Sequence, residues 1–297
     1  MTPPAPMHLT FIGGGHLAQA ILNGILTSST PWIQQCSIAI TARRPERAQT
    51  LKTEFPQPSL LVSSDNVDSR IWDATRTAEH SILFICTRPA DIPPPTKQLA
   101  PILGSFAPRD RPTVVTMCPE ITVAQLQGWL PPDTAIVRTM PNTPVEERQG
   151  AKGLFAAGLD DELGRARVQH VKSVLESVSP VVTIVKEEEL LDVVAAVLGS
   201  GPAHFFQVTE SMVVAAEAMG LDRETAEPLV IQSCLGAGFL ARASSKSVSE
   251  LREEVCVPGG STEKAIEYLR ENGLGEMFRE AMERSLDANR EMRIFGV

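Results

Sequence analysis

The stretch Leu251 to Leu269, LREEVCVPGGSTEKAIEYL, sets two hydroxyls, Ser261 and Thr262, directly after a Pro-Gly-Gly turn and at the start of a helical pattern. Backbone N–H groups at a helix start have no intrahelical partner, so together with neighbouring hydroxyls they can hold a small anionic ligand. An ordinary N-cap needs the same residues, with Ser261 or Thr262 satisfying the first turn of a helix through Ala265, Ile266 and Leu269. A second stretch, FIGGGHLAQAIL at 11–22, puts a glycine turn between an apolar strand and a helix. In a dinucleotide-binding unit Gly13 would allow the tight turn, Gly15 would let the backbone approach a pyrophosphate, and Ala18 would let helix and strand pack.

The end of the next strand chooses between dinucleotides. A carboxylate there would hold a ribose 2′-hydroxyl, whereas a cation accommodates a 2′-phosphate. The chain has Thr41, Ala42, Arg43 and Arg44, with no acid before Glu46, which favours NADPH over NADH. A pair of solvated arginines at a helix start is the competing reading, although cations are disfavoured there unless an anion faces them.

Stepwise strand and helix patterns must position these groups. Strands are expected at His8 to Ile12, Ser37 to Thr41, Leu60 to Val62, Ser81 to Cys86, Thr113 to Met117, Ala135 to Met140 and Val181 to Val185, with helices at Leu17 to Leu26 and Pro45 to Phe55. Their alternation predicts a parallel sheet with helices on both faces. Beyond Lys186 only helical spacing remains, broken at Met219 to Asp222 and at Ser244 to Ser247 and ending in a helix from Met277. The expected division is a short disordered lead at 1–7, an α/β dinucleotide-binding domain at 8–186 and an all-helical domain at 187–297.

Composition narrows the function classes. The 297 residues are enough for two cores, and a net charge of −9 without a basic stripe argues against nucleic acid. The five cysteines form no C-x-x-C pair or His-rich cluster, so neither a metal site nor a disulfide framework is expected. No signal peptide is evident and no apolar run is expected to span a membrane, which points to a cytoplasmic protein.

In five stretches the chain resembles the pyrroline-5-carboxylate reductases, which form proline by reducing a cyclic imine with NAD(P)H. These are the glycine turn, TRPADI at 87–92, VRTMPNTP at 137–144, GSGPAHFF at 199–206 and the Pro-Gly-Gly segment. The resemblance implies a Rossmann-type doubly wound sheet followed by a helical dimerisation domain, a homodimer that can build larger assemblies, and a cyclic imine as substrate. It assigns Gly13, Gly15, His16 and Leu17 to the pyrophosphate turn, Arg43 and Arg44 to the 2′-phosphate, Asn66 to the adenine side, and Thr87, Arg88 and Pro89 to the loop beside the nucleotide. Cys118 and Glu254 fall at further cofactor-side positions. On the substrate side it implies that Thr262 bonds the ring nitrogen, that Gly260, Ser261 and Val257 form the carboxylate turn, and that Glu188 lies near the substrate. For Glu188 a solvated helix start is the competing reading.

An imine is already electrophilic, so hydride transfer to it needs positioning more than a strong acid. The helix expected from Leu190 to Ala218 has no lysine, and its one candidate base, His204, is better read as a packed residue. Departures from the family pattern gather near the ligands: His16, Arg88, Leu198, His204, Glu254, Cys256, Val257, the loop Val145 to Gln149, and the run Thr116 to Glu120, which puts a carboxylate where a glycine is usual. Val257 in place of serine makes the carboxylate pocket less polar. Three functions are therefore open: a proline-forming reductase, a reductase of an altered cyclic imine such as an alkyl-pyrroline carboxylate or 1-pyrroline, and a non-catalytic NADPH-binding scaffold.

Overall fold

The computed structural model describes residues 7–118 and 120–295. Contacts group the chain into two compact units, 1–199 with 286–297, and 200–285. Residues 1–6 of the expected lead lie outside the described residues. Its last residue, Met7, is instead the buried first residue of β1.

The first unit is built on eight strands: β1 Met7–Ile12, β2 Ser37–Thr41, β3 Leu60–Ser63, β4 His80–Ile85, β5 Thr113–Thr116, β6 Ile136–Pro141, β7 Ala151–Ala156 and β8 Val181–Ile184. Their order is β3-β2-β1-β4-β5-β6-β7-β8. The helices are α1 His16–Leu26, α2 Pro31–Gln34, α3 Pro45–Glu54, α4 Ser69–Thr77, α5 Pro93–Gly104, α6 Val123–Trp129, α7 Glu162–Glu176 and α8 Leu190–Val194, the last continuing as a π-helical turn over Ala195–Gly199.

Strand alternation sorts side chains between two cores. Leu9, Phe11, Ile82, Phe84, Val115 and Val137 pack on one face with α1, α3 and α7, whereas Ile12, Leu83, Ile85, Val114 and Ile136 pack on the other with α4, α5 and α6. Phe11 and Phe84, paired across β1 and β4, stack with ring centroids 4.7 Å apart. Because both faces are covered, the central strands read as near-continuous apolar runs.

The sheet is not wholly parallel. Strand β7 runs antiparallel to β6, and β8 is parallel to β7, so the last two strands oppose the first six. Sequence patterning missed β7, AKGLFA, because Lys152 and Gly153 interrupt its apolar alternation; both are nevertheless buried. A Cβ on Gly153 would come within 2.7 Å of Val194, so the glycine lets α8 lie close against the strand.

The second unit holds α9 Gly201–Ala218, α10 Arg223–Ala243, α11 Val248–Val255 and α12 Ser261–Glu271, and most of α13 Leu274–Phe295. Helix α9 stops where Gly220 takes φ +107°, a conformation that costs a side-chain-bearing residue about 1–2 kcal/mol. Asp222 then caps α10 through Thr225 N, and Ser247 and Glu250 form a capping box at α11. Contrary to the sequence expectation, the helical run Leu190–Ala218 is long and apolar enough, by length and composition, to cross a membrane. Helices α9 and α10 leave Phe205, Phe206, Leu229, Ile231 and Leu240 exposed and bury only Gly201, Val213 and Ala226 within the chain. An apolar surface that the chain does not cover is characteristic of an interface.

Candidate active site

A cleft of about 1100 Å³ opens at the carboxyl ends of β1, β2 and β4. The chain order of the strands reverses there, because β2 and β4 flank β1 on opposite sides, and open α/β sheets bind ligands at such switch points. Its floor is the glycine turn. Gly13 has φ +104°, and a Cβ on it would lie 3.1 Å from the carbonyl carbon and oxygen of Cys86. Above Gly15 the nearest atom to a built Cβ is 4.0 Å away, so that backbone is open to a ligand. Gly15 is the N-cap of α1 and offers no side-chain cap, which leaves the first N–H groups of the helix available. Ala18 is fully buried one turn on.

The cleft walls carry charge. Arg43, Arg44, Arg47 and Arg88 line it, with Asp65 and Asp91 as its acids. Arg47 donates from Nε to Gly14 O at 3.3 Å, and Arg88 donates to Asp91 Oδ2 from Nε at 3.1 Å and from Nη2 at 2.9 Å. Asn66 is fixed from three sides: its Oδ1 accepts from Thr41 Oγ1 at 2.6 Å, its Nδ2 donates to Gln98, and its carbonyl accepts from Trp72 Nε1. The Thr87 hydroxyl is buried at the cleft and has no hydrogen-bond partner.

Two more polar groups of this unit lie outside the cleft lining. Glu188 accepts from Val123 N at 2.7 Å and pairs with Arg138, whose side chain is 1% exposed. The Lys152 amine is buried without a hydrogen-bond partner, and burial lowers its pKa to about 7. The nearby Cys86 thiol is pushed by burial up to about 12.

In the helical unit the Pro-Gly-Gly turn is closed by Gly260 N donating to Val257 O at 2.8 Å, and Gly259 takes φ +74°. Gly260 is the N-cap of α12, so neither hydroxyl does the capping. The Glu263 carboxylate turns back instead and accepts from Gly259 N at 2.6 Å. Ser261 is exposed and Thr262 half-buried, at the first two positions of the helix. Val257 lies exposed on the turn.

Residues 188–292 match the family model described as pyrroline-5-carboxylate reductase dimerisation, and residues 8–104 match that of NADP oxidoreductase, coenzyme F420-dependent. The chain is 38% identical over 288 residues to the Delta-1-pyrroline-5-carboxylate reductase apf3 of Gibberella fujikuroi, covering 95% of each chain. It belongs to the pyrroline-5-carboxylate reductase family. The pyrroline-5-carboxylate reductase of Pseudomonas aeruginosa is 32% identical over 276 residues, covering 92% of each chain. A solved pyrroline-5-carboxylate reductase from Coxiella burnetii superposes with a TM-score of 0.82 at 32% identity, covering 96% of this chain and 97% of that one. The dimerisation match spans the helices whose apolar faces are uncovered and supports a homodimer through them.

Against this family frame the structure sorts the residues singled out in the sequence. Gly13, Gly15, His16, Arg43, Arg44, Asn66, Thr87 and Arg88 all line one cleft. Leu17 packs against the core behind the turn. Cys118 is also in a core, its thiol donating to Glu120 Oε2 at 3.0 Å, so its side chain is turned away from the cleft lining. Pro119 falls outside the described residues. Glu188 is no solvated helix start: its carboxylate is engaged by Arg138 and the first N–H of α6. Glu254 pairs with Lys246 on the surface of the helical unit. His204 packs edge-on to Phe278 at 6.5 Å, as expected of a packed histidine. Sequence reasoning missed Arg47, Asp91 and Gln98 on the cleft, and also Arg138 and Lys152. Arg47 lies in the first turn of α3, directly after the Arg43-Arg44 pair, and a further cation at that helix start could have revealed it.

Proposed function

We propose that this protein reduces the C=N bond of 1-pyrroline-5-carboxylate to give L-proline, using NADPH. The observation that carries the reading is the 38% identity, over 95% of the chain, to a relative named as such a reductase, and this chain carries both the glycine turn and the Ser261-Thr262 turn. The cleft fits a dinucleotide: the turn through Gly13 and Gly15 keeps a backbone that a Cβ at Gly13 would drive into Cys86, and arginines after β2, in α3 and after β4 supply cations for phosphates. When bound, the reduced nicotinamide supplies the hydride.

The protein's own part is to bind and orient. In this reading Gly15, His16 and Leu17 present backbone N–H groups to the pyrophosphate, Arg43 and Arg44 hold the 2′-phosphate, and Asn66 and the loop Thr87 to Pro89 flank the nucleotide. The uncommitted Thr262 hydroxyl orients the ring nitrogen of the imine, and Ser261 with the backbone at Gly260 receives its carboxylate. Positioning of this kind suffices when the imine enters protonated on nitrogen: the iminium carbon accepts the hydride directly, and the nitrogen already carries the proton that the product amine needs. The working unit is a homodimer, able to build larger assemblies, in a reducing cytoplasm where all five cysteines remain free.

A second reading is favoured by Val257, which sets methyl groups on the carboxylate turn. It assigns the same chemistry to an alkyl-substituted pyrroline carboxylate or to 1-pyrroline. Following NADPH absorbance with pyrroline-5-carboxylate, a methyl-substituted analogue and 1-pyrroline separates the possibilities. Fastest oxidation with the parent compound supports proline formation, and preference for an analogue moves the protein to the second reading. Silence with all three, while NADPH still binds, leaves a non-catalytic scaffold.

A further inference from the structure

Asp91 is the one acid on the cleft that meets its arginines. It sits in the short 3-10 turn after β4, with its side chain 27% exposed, and receives two donors from Arg88. Its other oxygen lies 3.6 Å from Nη1 of Arg43, which follows β2. Strands β2 and β4 flank β1, so this carboxylate links loops on either side of the glycine turn. Asp65, the other acid, instead accepts from Val67 N at 3.0 Å.

Resting on the NADPH reading above, we propose that Asp91 is a specificity-determining residue that restrains the preference of this cleft for a 2′-phosphate. Two opposed effects have to be weighed. As a tether, Asp91 would hold Arg43 over the cleft and favour phosphate binding. The contact is long, however, and the Arg43 side chain is 81% exposed, a geometry in which ion pairs contribute little. As a competitor, Asp91 engages Arg88 through two hydrogen bonds and places a negative charge beside any phosphate that Arg43 and Arg88 would receive. A 2′-phosphate carries more charge than one carboxylate, and two cations bear on the same acid, so competition and repulsion outweigh tethering. Arg44 keeps a cation outside this clasp, so phosphate binding is moderated and not abolished.

The test is a binding titration, by tryptophan fluorescence or calorimetry, of wild type, Asp91→Asn and Asp91→Glu with NADP+, NAD+, 2′,5′-ADP and 5′-AMP. Asp91→Asn is expected to tighten NADP+ and 2′,5′-ADP by on the order of fivefold, the scale of one exposed charge contact, with NAD+ and 5′-AMP unmoved. Asp91→Glu, which keeps the charge, should stay near wild type. Weaker or unchanged NADP+ binding in Asp91→Asn, or an equal shift for both dinucleotides, overturns the inference while the cofactor reading stands. Wild type that binds neither dinucleotide brings down the cofactor reading and this inference together.

Discussion

Arg138 on β6 and Glu188 just before α8 form an ion pair across fifty residues of sequence, and the same carboxylate accepts the first N–H of α6. One acid therefore ties together a strand, a helix start and the approach to the helical run. Arg138 has a further interaction besides this one, so losing the carboxylate costs about 1–3 kcal/mol, the scale of hydrogen bonds to a charged group. Glu188→Ala should lower unfolding stability by roughly that amount in urea titrations, and Glu188→Gln by less, because the amide oxygen can still accept from Val123 N. A variant with wild-type stability and a raised KM for the imine would show instead that Glu188 serves the substrate.

Gly13→Ala tests the floor of the cleft. The added methyl meets the Cys86 carbonyl at 3.1 Å on a backbone already at φ +104°, so strain of about 1–2 kcal/mol falls on the turn. NADPH affinity should drop at least tenfold while helical content by circular dichroism is kept. Unchanged affinity would mean that the nucleotide does not use this turn.

Thr262→Ala should reduce kcat by about 10- to 100-fold, the scale of losing one hydrogen bond to a charged group, with NADPH affinity unmoved. Thr262→Ser should recover most of the loss. Equal losses of turnover and of cofactor binding would assign Thr262 a structural role.

Lys152 gives stability a pH dependence whose sign can be worked out. Its folded pKa is lowered by burial from 10.5 to about 7, so between those values the unfolded chain binds more protons and stability rises with pH. Above about 9 the buried thiols Cys86 and Cys118 act oppositely, because burial raises their pKa and only the unfolded chain ionises there. Wild type should therefore gain stability from pH 7 to pH 9, and Lys152→Met should flatten that rise. A slope that survives the substitution would place its origin elsewhere.

Motifs whose chemistry is local could be read from the residues in order. The glycine turn, the arginines after β2, the Pro-Gly-Gly turn and the helix breaks at Met219 to Asp222 and Ser244 to Ser247 each depend on neighbours a few positions away, so sequence spacing carries the information. The six leading strands were legible for the same reason, since strands covered on both faces form apolar runs.

What only the tertiary structure decided involves groups distant in sequence. Lys152 reads as a surface residue until β7 is seen to be enclosed on the sheet, and the reversal of β7 and β8 follows from pairing, which periodicity does not encode. Glu188 reads either as a substrate-side acid or as a solvated helix start until Arg138 is brought beside it. Asp91 meets Arg43 and Arg88 together only because β1 sets the loops after β2 and β4 on either side of one cleft. Ser261 and Thr262 were recognisable as hydroxyls at a helix start, but their being uncommitted was decided by Gly260 taking the cap and Glu263 turning back to Gly259. Local spacing fixes which groups can act, whereas long-range packing fixes their partners, and in a low-dielectric interior the partner sets charge, orientation and reactivity.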